Sequence, residues 1–176
     1  MSANRYLDNI FRDFFSRLLI PLHDSVFEYY LDDSKSLFYH FNEIVPKFDY
    51  PSEPTQFFNL VIPTIDTIRY STHLKMLVKI DKPVFITGQT GTGKSMIVQN
   101  FITDNAKAME FISIILNFSA QTDSASTQNN IESKLEKKRK KSRGAKGTLK
   151  TLIFIDDINM PTVEQYGAQP PIELLR

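Results

Sequence analysis

The stretch "GQTGTGKS", Gly88 to Ser95, decides the fold of this chain. It matches the pattern G-x-x-x-x-G-K-[ST] at every fixed position, and it stands between a short apolar run and a segment with helical spacing. Its glycines let the backbone curl so that successive N–H groups point at phosphate oxygens, and the helix that follows adds its N-terminal dipole. The pattern therefore predicts a strand, a phosphate-binding loop and a helix, in that order.

The side chains of this loop predict a site for a nucleoside triphosphate and a magnesium ion. Lys94 reaches the β- and γ-phosphates, and the hydroxyl of Ser95 takes one position on Mg²⁺. A glycine-rich turn that binds nothing is the alternative, and the spacing and context disfavour it. The predicted cofactors are ATP or ADP and Mg²⁺, with contacts from Gly88, Gln89, Thr90, Gly91, Thr92, Gly93, Lys94 and Ser95.

A second stretch, "TLIFIDDINMP", runs from Thr151 to Pro161 and ends an apolar run in two aspartates. An apolar run of this length predicts a buried strand, and carboxylates at the C-terminal end of such a strand lie where open α/β sheets bind ligands. We therefore expect Asp156 to hold Mg²⁺ through water. Without the upstream loop, the aspartate pair would instead indicate a cap for the following turn.

Strands and helices alternate in the second part of the sequence. Helical spacing predicts helices at 66–80, 95–106 and 128–141, and "PIELLR" opens another. The predicted strands are the apolar runs "PVFIT", "FISIILNFSA" and "TLIFI", at residues 83–87, 111–120 and 151–155. This alternation predicts a parallel, doubly wound α/β sheet. The side chains of the first helix that we expect to face inward are Ile68, Tyr70, Leu74, Leu77 and Val78.

The N-terminal part of the sequence has a different pattern. Residues 4–19 carry apolar side chains at helical spacing and predict an amphipathic helix that stops before Pro21. Two aromatic-rich runs in "VFEYYLDDSKSLFYHF" predict a hairpin, with a short helix as the alternative. The proline-rich "VPKFDYPSEPTQ" predicts an extended connector, and we place a domain boundary in it near residue 50.

Composition excludes several classes of protein. The 176 residues permit one ordinary domain or parts of two, and a hydrophobic fraction of 41% is enough for a core. The absence of Cys excludes a disulfide framework and a Cys-based zinc site. No segment resembles a signal peptide or is apolar for long enough to span a bilayer. We therefore expect a cytoplasmic protein with no membrane partner.

Charge is distributed unevenly along the chain. The net charge is 21 − 20 = +1, but residues 134–150 hold nine Lys or Arg against one Glu, which leaves 12 − 19 = −7 for the rest. Such a run can contact nucleic acid, an acidic lipid surface or an acidic partner. Because no aromatic side chain is interleaved with the basic ones, we favour a solvated helix face followed by a loop. We predict no nucleic-acid partner.

Several segments together resemble a dynein heavy chain of the axonemal (ciliary) class, at its third AAA+ module. They are "FFNLVIPTIDTIRY", "KPVFITGQTGTGKS", "NFSAQT…IESKLEKKRK" and "FIDDINMPTVEQYGAQPPIELLR", of which the last is far more specific than the loop. The N-terminal "FRDFF…VFEYYLDD…VPKFDY" is similar to the connector that enters this module. The resemblance implies an incomplete P-loop AAA+ three-layer sandwich with a parallel sheet, preceded by a helix-plus-hairpin connector. It assigns residues 1–50 to the connector and 51–176 to the N-terminal part of an AAA+ domain, truncated after Walker B.

The resemblance also implies roles for individual residues. Gly88, Gly91, Gly93, Lys94 and Ser95 match the Walker A loop. Asp156 matches the Mg²⁺ aspartate of Walker B. Asp157 stands where the catalytic Glu is expected, which makes it a weak candidate for the catalytic base. Lys94 is the other predicted catalytic residue. Ile62 and Pro63, in "VIPT" at residues 61–64, match the segment that lies along the adenine. The start of a helix with Pro near its first position is an equally weighted alternative.

The implied function is that of an ATP-binding segment of a minus-end-directed microtubule motor that drives ciliary movement. A nucleotide-responsive structural or regulatory module is the alternative, because the side chain of Asp157 is one methylene shorter than Glu and misplacement by about 1 Å can lower a rate roughly 10²-fold. An unrelated P-loop protein, such as a small-molecule kinase, is disfavoured by "YGAQPPIELLR".

The family further implies partners and a location. The partners are the other AAA+ modules of the same heavy chain, dynein intermediate and light chains, and microtubules through regions outside this chain. The family strand order is 5-1-4-3-2, and we expect the sensor strand, helical lid and arginine finger outside this fragment, which alone should turn over little ATP. The expected locations are the cytoplasm, the cytoskeleton and the ciliary axoneme.

Overall fold

The computed structural model describes residues 3–32, 34–50, 60, 62–140, 142–147 and 149–176. The chain divides into two compact units, Met1–Met76 and Leu77–Arg176. The boundary predicted near residue 50 adjoins residues outside the described ranges and stays a prediction. Within these ranges, every helix is too short or too polar to cross a lipid bilayer.

The first unit begins with helix α1, Ala3–Phe14, which ends earlier than the predicted residue 19. Asp8 and Arg12 form an ion pair one turn apart, with Oδ2 and Nε at 3.2 Å. The guanidinium of Arg12 also donates to the carbonyl oxygens of Pro21 (2.8 Å) and Asp24 (2.5 Å). Because these contacts hold the following segment against the helix, the chain reverses soon after it.

An aromatic hairpin follows. In chain order the unit continues with a 3₁₀ turn, Val26–Glu28, strand β1, Tyr29–Asp32, strand β2, Leu37–His40, and helix α2, Phe41–Ile44. β1 and β2 pair antiparallel, which confirms the predicted hairpin. Between them, the hydroxyl of Ser34 (2.6 Å) and its backbone N–H (2.9 Å) donate to the Asp32 carboxylate and lower its pKa. Phe41, which is 0% exposed, packs against Tyr30.

Helix α3, Ile65–Lys79, starts in the first unit and ends in the second, which confirms the helix predicted at 66–80. Leu74 is buried, and Ile68 is half-buried. Tyr70 is 50% exposed, so its predicted inward direction is wrong. Tyr70 lies one turn before Leu74 on the same side of the helix, but this side is more exposed to solvent at Tyr70 than at Leu74.

The second unit contains the α/β part of the chain. Its elements are helix α4, Lys94–Asn105, strand β3, Phe111–Asn117, helix α5, Ser124–Lys134, strand β4, Glu136–Arg139, strand β5, Ser142–Gly144, strand β6, Lys150–Asp156, and helix α6, Pro170–Leu175. β3 and β6 pair parallel from Phe111 opposite Lys150 to Asn117 opposite Asp156. The predicted parallel pairing of these two strands is confirmed.

The core of this unit lies around β3. Ile114, Leu116 and Phe118 are buried together and pack against side chains of α5 and β6. On the other side, Phe101 of α4 is 2% exposed and stacks on Phe111, with ring centroids 6.5 Å apart. This burial of apolar side chains between helices and a parallel sheet is the packing expected of an α/β fold.

The strand predicted at residues 83–87 is wrong. This apolar segment has no strand conformation, and Phe85 at its centre is 77% exposed. A strand needs a neighbour that takes up its backbone hydrogen bonds. Among the described residues the parallel sheet consists of β3 and β6 alone, so segment 83–87 is left unpaired.

The helix predicted at residues 128–141 is partly wrong. Helix α5 begins earlier because the Asp123 carboxylate caps it and accepts from the backbone N–H of Ser126 at 2.7 Å. It ends at Lys134, and β4 and β5 then form an antiparallel hairpin. Continued as a helix, Lys134 and Lys138 would be like charges one turn apart, which destabilises that conformation.

Candidate functional site

The predicted phosphate-binding loop is an exposed turn that leads into α4. The helix begins at Lys94, as the motif predicts, with Gly93 as its N-cap. Gly91 and Gly93 have φ angles of +82° and +79°, in the left-handed region that glycine adopts without steric cost. A Cβ at either position would meet nothing within 4 Å, so backbone conformation explains these two glycines rather than crowding.

The side chain of Lys94 forms hydrogen bonds to the backbone of this loop. Its Nζ donates to the carbonyl oxygens of Gly88 (3.0 Å) and Gln89 (2.6 Å). The hydroxyl of Thr92 donates to the same Gln89 oxygen at 2.9 Å. The ammonium group is therefore held within the loop, where an anion would meet it together with the backbone N–H groups.

The first turn of α4 adds further donors. The backbone N–H of Ile97 donates to the carbonyl oxygen of Gly93 at 3.0 Å, and this is the first hydrogen bond of the helix. By helix geometry, the N–H groups of the residues before it have no acceptor within α4 and point out of its N-terminus. Ser95 lies in this turn and is half-buried. The arrangement has the donors and dipole of an anion site.

Asp156 ends β6, as predicted, and is half-buried at the C-terminal edge of the sheet. Its Oδ1 accepts from the backbone N–H of Asp157 at 3.1 Å. The carbonyl of Asp157 in turn accepts from the N–H of Met160 at 2.9 Å. The pair thus shapes the turn after the strand, and within the described part of the chain the second carboxylate oxygen of Asp156 has no hydrogen-bond partner.

Asp157 has a backbone conformation that bears on its identity. Its φ is +54°, in the left-handed region that most L-residues avoid. Asp and Asn are several-fold enriched there because their short polar side chains bond locally. Asp at this position is therefore better suited to the turn than the longer Glu, a constraint that the sequence alone does not reveal.

Asn117 is a candidate that the sequence interpretation missed. The register of the sheet places it directly opposite Asp156, at the last pair of β3 and β6. Neighbouring residues in register point to the same face of a sheet, so its amide lies on the same side as the Asp156 carboxylate. The available signal was a polar residue at the end of a predicted strand.

The oxygen donors fit Mg²⁺. Ser95 offers a hydroxyl and Asp156 a carboxylate, and Mg²⁺ prefers one or two protein oxygens completed by water and phosphate. In the part of the chain that the structure describes, no three His, Cys, Asp or Glu side chains gather into a metal cage. No hydrogen bond or ion pair between described residues joins the loop to either aspartate.

The predicted adenine segment lies in the first unit. Val61 is outside the described residues, and Ile62 is 59% exposed. Thr64 and Thr67 exchange hydrogen bonds at the start of α3, where the Thr67 N–H donates to the Thr64 hydroxyl at 3.2 Å. Pro63 precedes Ile65, the first helical residue, by two positions, so it lies near the helix start, as the alternative interpretation expects.

A cavity of about 470 Å³ lies elsewhere in the second unit, between β3 and α5. Asn117 and Thr127 are among the residues that line it, but none of the predicted site residues does. Thr127 is 1% exposed and donates to the carbonyl of Asp123 at 2.7 Å, so its hydroxyl serves the helix.

Comparison with protein families gives the identity of this fold. Residues 48–176 match the family described as the P-loop containing dynein motor region. The chain belongs to this family. The matched residues include the loop at 88–95, strands β3 and β6, and both aspartates. All of the candidate site residues therefore lie within the dynein motor region.

Curated relatives of this dynein motor region are axonemal heavy chains. Dynein axonemal heavy chain 6 of Homo sapiens is 47% identical over 133 residues, which are 76% of this chain and 3% of the relative. Dynein axonemal heavy chain 12 of Mus musculus is 40% identical over 137 residues, which are 78% of this chain and 4% of the relative. Dynein axonemal heavy chain 1 of Rattus norvegicus is 48% identical over 122 residues, which are 69% of this chain and 3% of the relative.

These comparisons confirm the predicted resemblance and the predicted fold class, an incomplete α/β P-loop AAA+ domain. The axonemal names of the relatives agree with the expected ciliary and cytoskeletal location. The chain spans only 3% to 4% of the length of these three relatives. The roles of the loop residues, the aspartates, Ile62 and Pro63 stay predictions.

Proposed function

We propose that this dynein motor region binds ATP or ADP with Mg²⁺ and contributes to minus-end-directed microtubule motor activity and ciliary movement. The observation that carries the proposal is the loop that leads into α4. Gly91 and Gly93 have positive φ angles, which let a loop backbone turn its N–H groups toward a ligand, and the Lys94 ammonium is bonded to the carbonyl oxygens of Gly88 and Gln89 in the same loop. Few other ligands need this combination of converging N–H donors, a helix dipole and one cation.

Each residue of the site has a proposed task. The loop N–H groups and Lys94 hold the phosphates, and Ser95 and Asp156 hold Mg²⁺. The metal, when bound, neutralises charge that develops on the phosphates. Asn117, opposite Asp156, can donate its amide to that carboxylate or to water beside it.

A second candidate function is a regulatory nucleotide site that hydrolyses ATP slowly or not at all. The conformation of Asp157 favours it, because the residue at the position of the catalytic base is short and serves a left-handed turn. General-base help and orientation of water are worth roughly 10²- to 10⁴-fold, so a misplaced base removes much of the rate.

The proposed partners follow from the same family. We expect contacts with other AAA+ modules of the heavy chain, with dynein intermediate and light chains, and indirectly with microtubules. The proposed location is the cytoskeleton of the cilium. We propose no nucleic-acid or membrane partner.

The experiment that tests nucleotide binding is Lys94→Ala. Loss of charge-assisted hydrogen bonds to phosphate, each worth about 1.5–3 kcal/mol, should weaken binding of labelled ATP by about 10²-fold. Lys107→Ala is the matched control, because Lys107 is an exposed lysine in the turn after α4. Equal affinity of Lys94→Ala, Lys107→Ala and the unmodified chain would refute the assignment.

A further inference from the structure

The basic run that the nucleotide site does not use forms a separate surface. β4 and β5, residues 136–144, are here called the basic hairpin. All four residues of β4 are exposed, as are Ser142 and Arg143 of β5. The surface is therefore an exposed two-stranded ribbon rather than the face of a helix.

Some of its cations already have partners. Arg143 Nη2 lies 3.1 Å from Glu132 Oε2, and its Nη1 donates to the Glu132 carbonyl at 3.1 Å. Lys138 Nζ donates to the carbonyl of Gly147 at 3.1 Å. The Arg143 contacts hold the hairpin to α5, and the Lys138 contact joins β4 to the segment after β5.

Three other cations have no such partner. Among the described residues, Lys137, Arg139 and Lys140 have no carboxylate within 4.0 Å. Lys137 stands directly opposite Arg143 in the hairpin, and like charges in that position destabilise a strand pair. A two-stranded ribbon is also marginal by itself. An anionic partner would offset both effects.

The backbone of the ribbon favours a polypeptide as that partner. Within the described ranges β4 and β5 form a two-stranded sheet, so each strand has one edge of N–H and C=O groups without a neighbouring strand. An added strand satisfies such an edge, and a nucleic acid has no matching backbone. Residues 134–150 contain no aromatic side chain on which bases could stack. The remaining net charge of −7 repels an extended polyanion more than a short acidic segment.

We propose that the basic hairpin docks an acidic polypeptide segment, which pairs with a strand edge and places its carboxylates against Lys137, Arg139 and Lys140. The interaction is independent of the nucleotide site. It is electrostatic and exposed, so it weakens as salt increases and is carried by several charges together.

The test uses the whole chain and a fluorescent poly-glutamate peptide at physiological ionic strength, with binding followed by anisotropy. The variant is Lys137→Glu with Arg139→Glu and Lys140→Glu. We expect it to bind about tenfold more weakly, since each of several exposed ion pairs contributes a modest amount. The matched control reverses Arg17, Lys47 and Lys107, which are exposed cations elsewhere and give the same change in net charge. It should lose less than about threefold.

Three outcomes would overturn the proposal: no peptide binding by the unmodified chain, an equal loss in the control, or tighter binding of an oligonucleotide of the same charge. The last would identify a nucleic-acid surface instead. Circular dichroism checks that each variant folds. If the charge reversal prevents folding, substitution of the same three residues by Gln is measured in its place, and it must weaken binding more than Gln at the control positions.

Discussion

Asp157 gives a prediction in which the structure sets the magnitude. The residue lies at φ +54°, where Asp is several-fold enriched over residues with longer side chains. A several-fold preference corresponds to about 0.5–1 kcal/mol, at roughly 1.4 kcal/mol per factor of ten. Asp157→Glu should therefore lower the free energy of unfolding by about that amount, and Asp157→Asn should leave it nearly unchanged.

Urea unfolding of the chain, followed by circular dichroism, measures this effect. The matched control is Asp104→Glu, because Asp104 is exposed in the last turn of α4, where a helical backbone accepts Glu at least as well as Asp. If Asp157→Glu is no more destabilising than Asp104→Glu, then the left-handed turn does not select Asp at this position.

The same substitution has an opposite effect on the proposed chemistry. In a heavy chain that contains the whole module, Asp157→Glu should raise single-turnover ATP hydrolysis by about 10²-fold or more, because the added methylene moves the base toward the attacking water. Nucleotide affinity should stay nearly constant, since the loop still holds the phosphates. A robust hydrolysis rate that Asp157→Asn abolishes would show that Asp157 is already a competent base, contrary to the regulatory interpretation.

Two further predictions concern stability. Phe101→Ala should lower the free energy of unfolding by about 3–5 kcal/mol, while Phe85→Ala should change it by less than about 0.5 kcal/mol, because Phe101 is 2% exposed and Phe85 77%; equal effects in chemical denaturation would contradict this account of the core. Burial, with the Arg69 guanidinium nearby, lowers the pKa of His73 from its ordinary 6.5, so the unfolded chain binds its proton more readily and stability should fall as the pH decreases below about 6.5. Thermal unfolding across this pH range should show a smaller decrease for His73→Gln than for the unmodified chain, and identical slopes would refute the assignment.

Local signals predicted most elements of the second unit. The motif at Gly88–Ser95 and the apolar runs of β3 and β6 specify their own conformation, because helix capping and continuous burial depend on nearby residues. The hairpin of β1 and β2 was predictable for the same reason, since its turn residues lie between two aromatic runs. The Lys94 start of α4 follows directly from the glycines before it.

Features that depend on distant partners were not predictable in this way. Segment 83–87 has the composition of a strand, but strand formation requires a neighbour, and no sequence window contains that information. The position of Asn117 beside Asp156 depends on the register between two strands far apart in sequence. The left-handed conformation of Asp157 likewise depends on the turn after β6, because Asp tolerates this conformation but does not impose it.

The exposed segment 83–87 has a consequence for how this chain behaves in concentrated solution and during synthesis. Its apolar side chains and unpaired backbone groups are suited to pairing with the same segment of another copy, the first step of aggregation. Lys82 directly precedes this segment, and Pro83 is its first residue. A charge and a residue without an N–H are the features that most hinder intermolecular strand pairing. Lys82 and Pro83 therefore oppose the intermolecular pairing that the exposed apolar side chains of this segment favour.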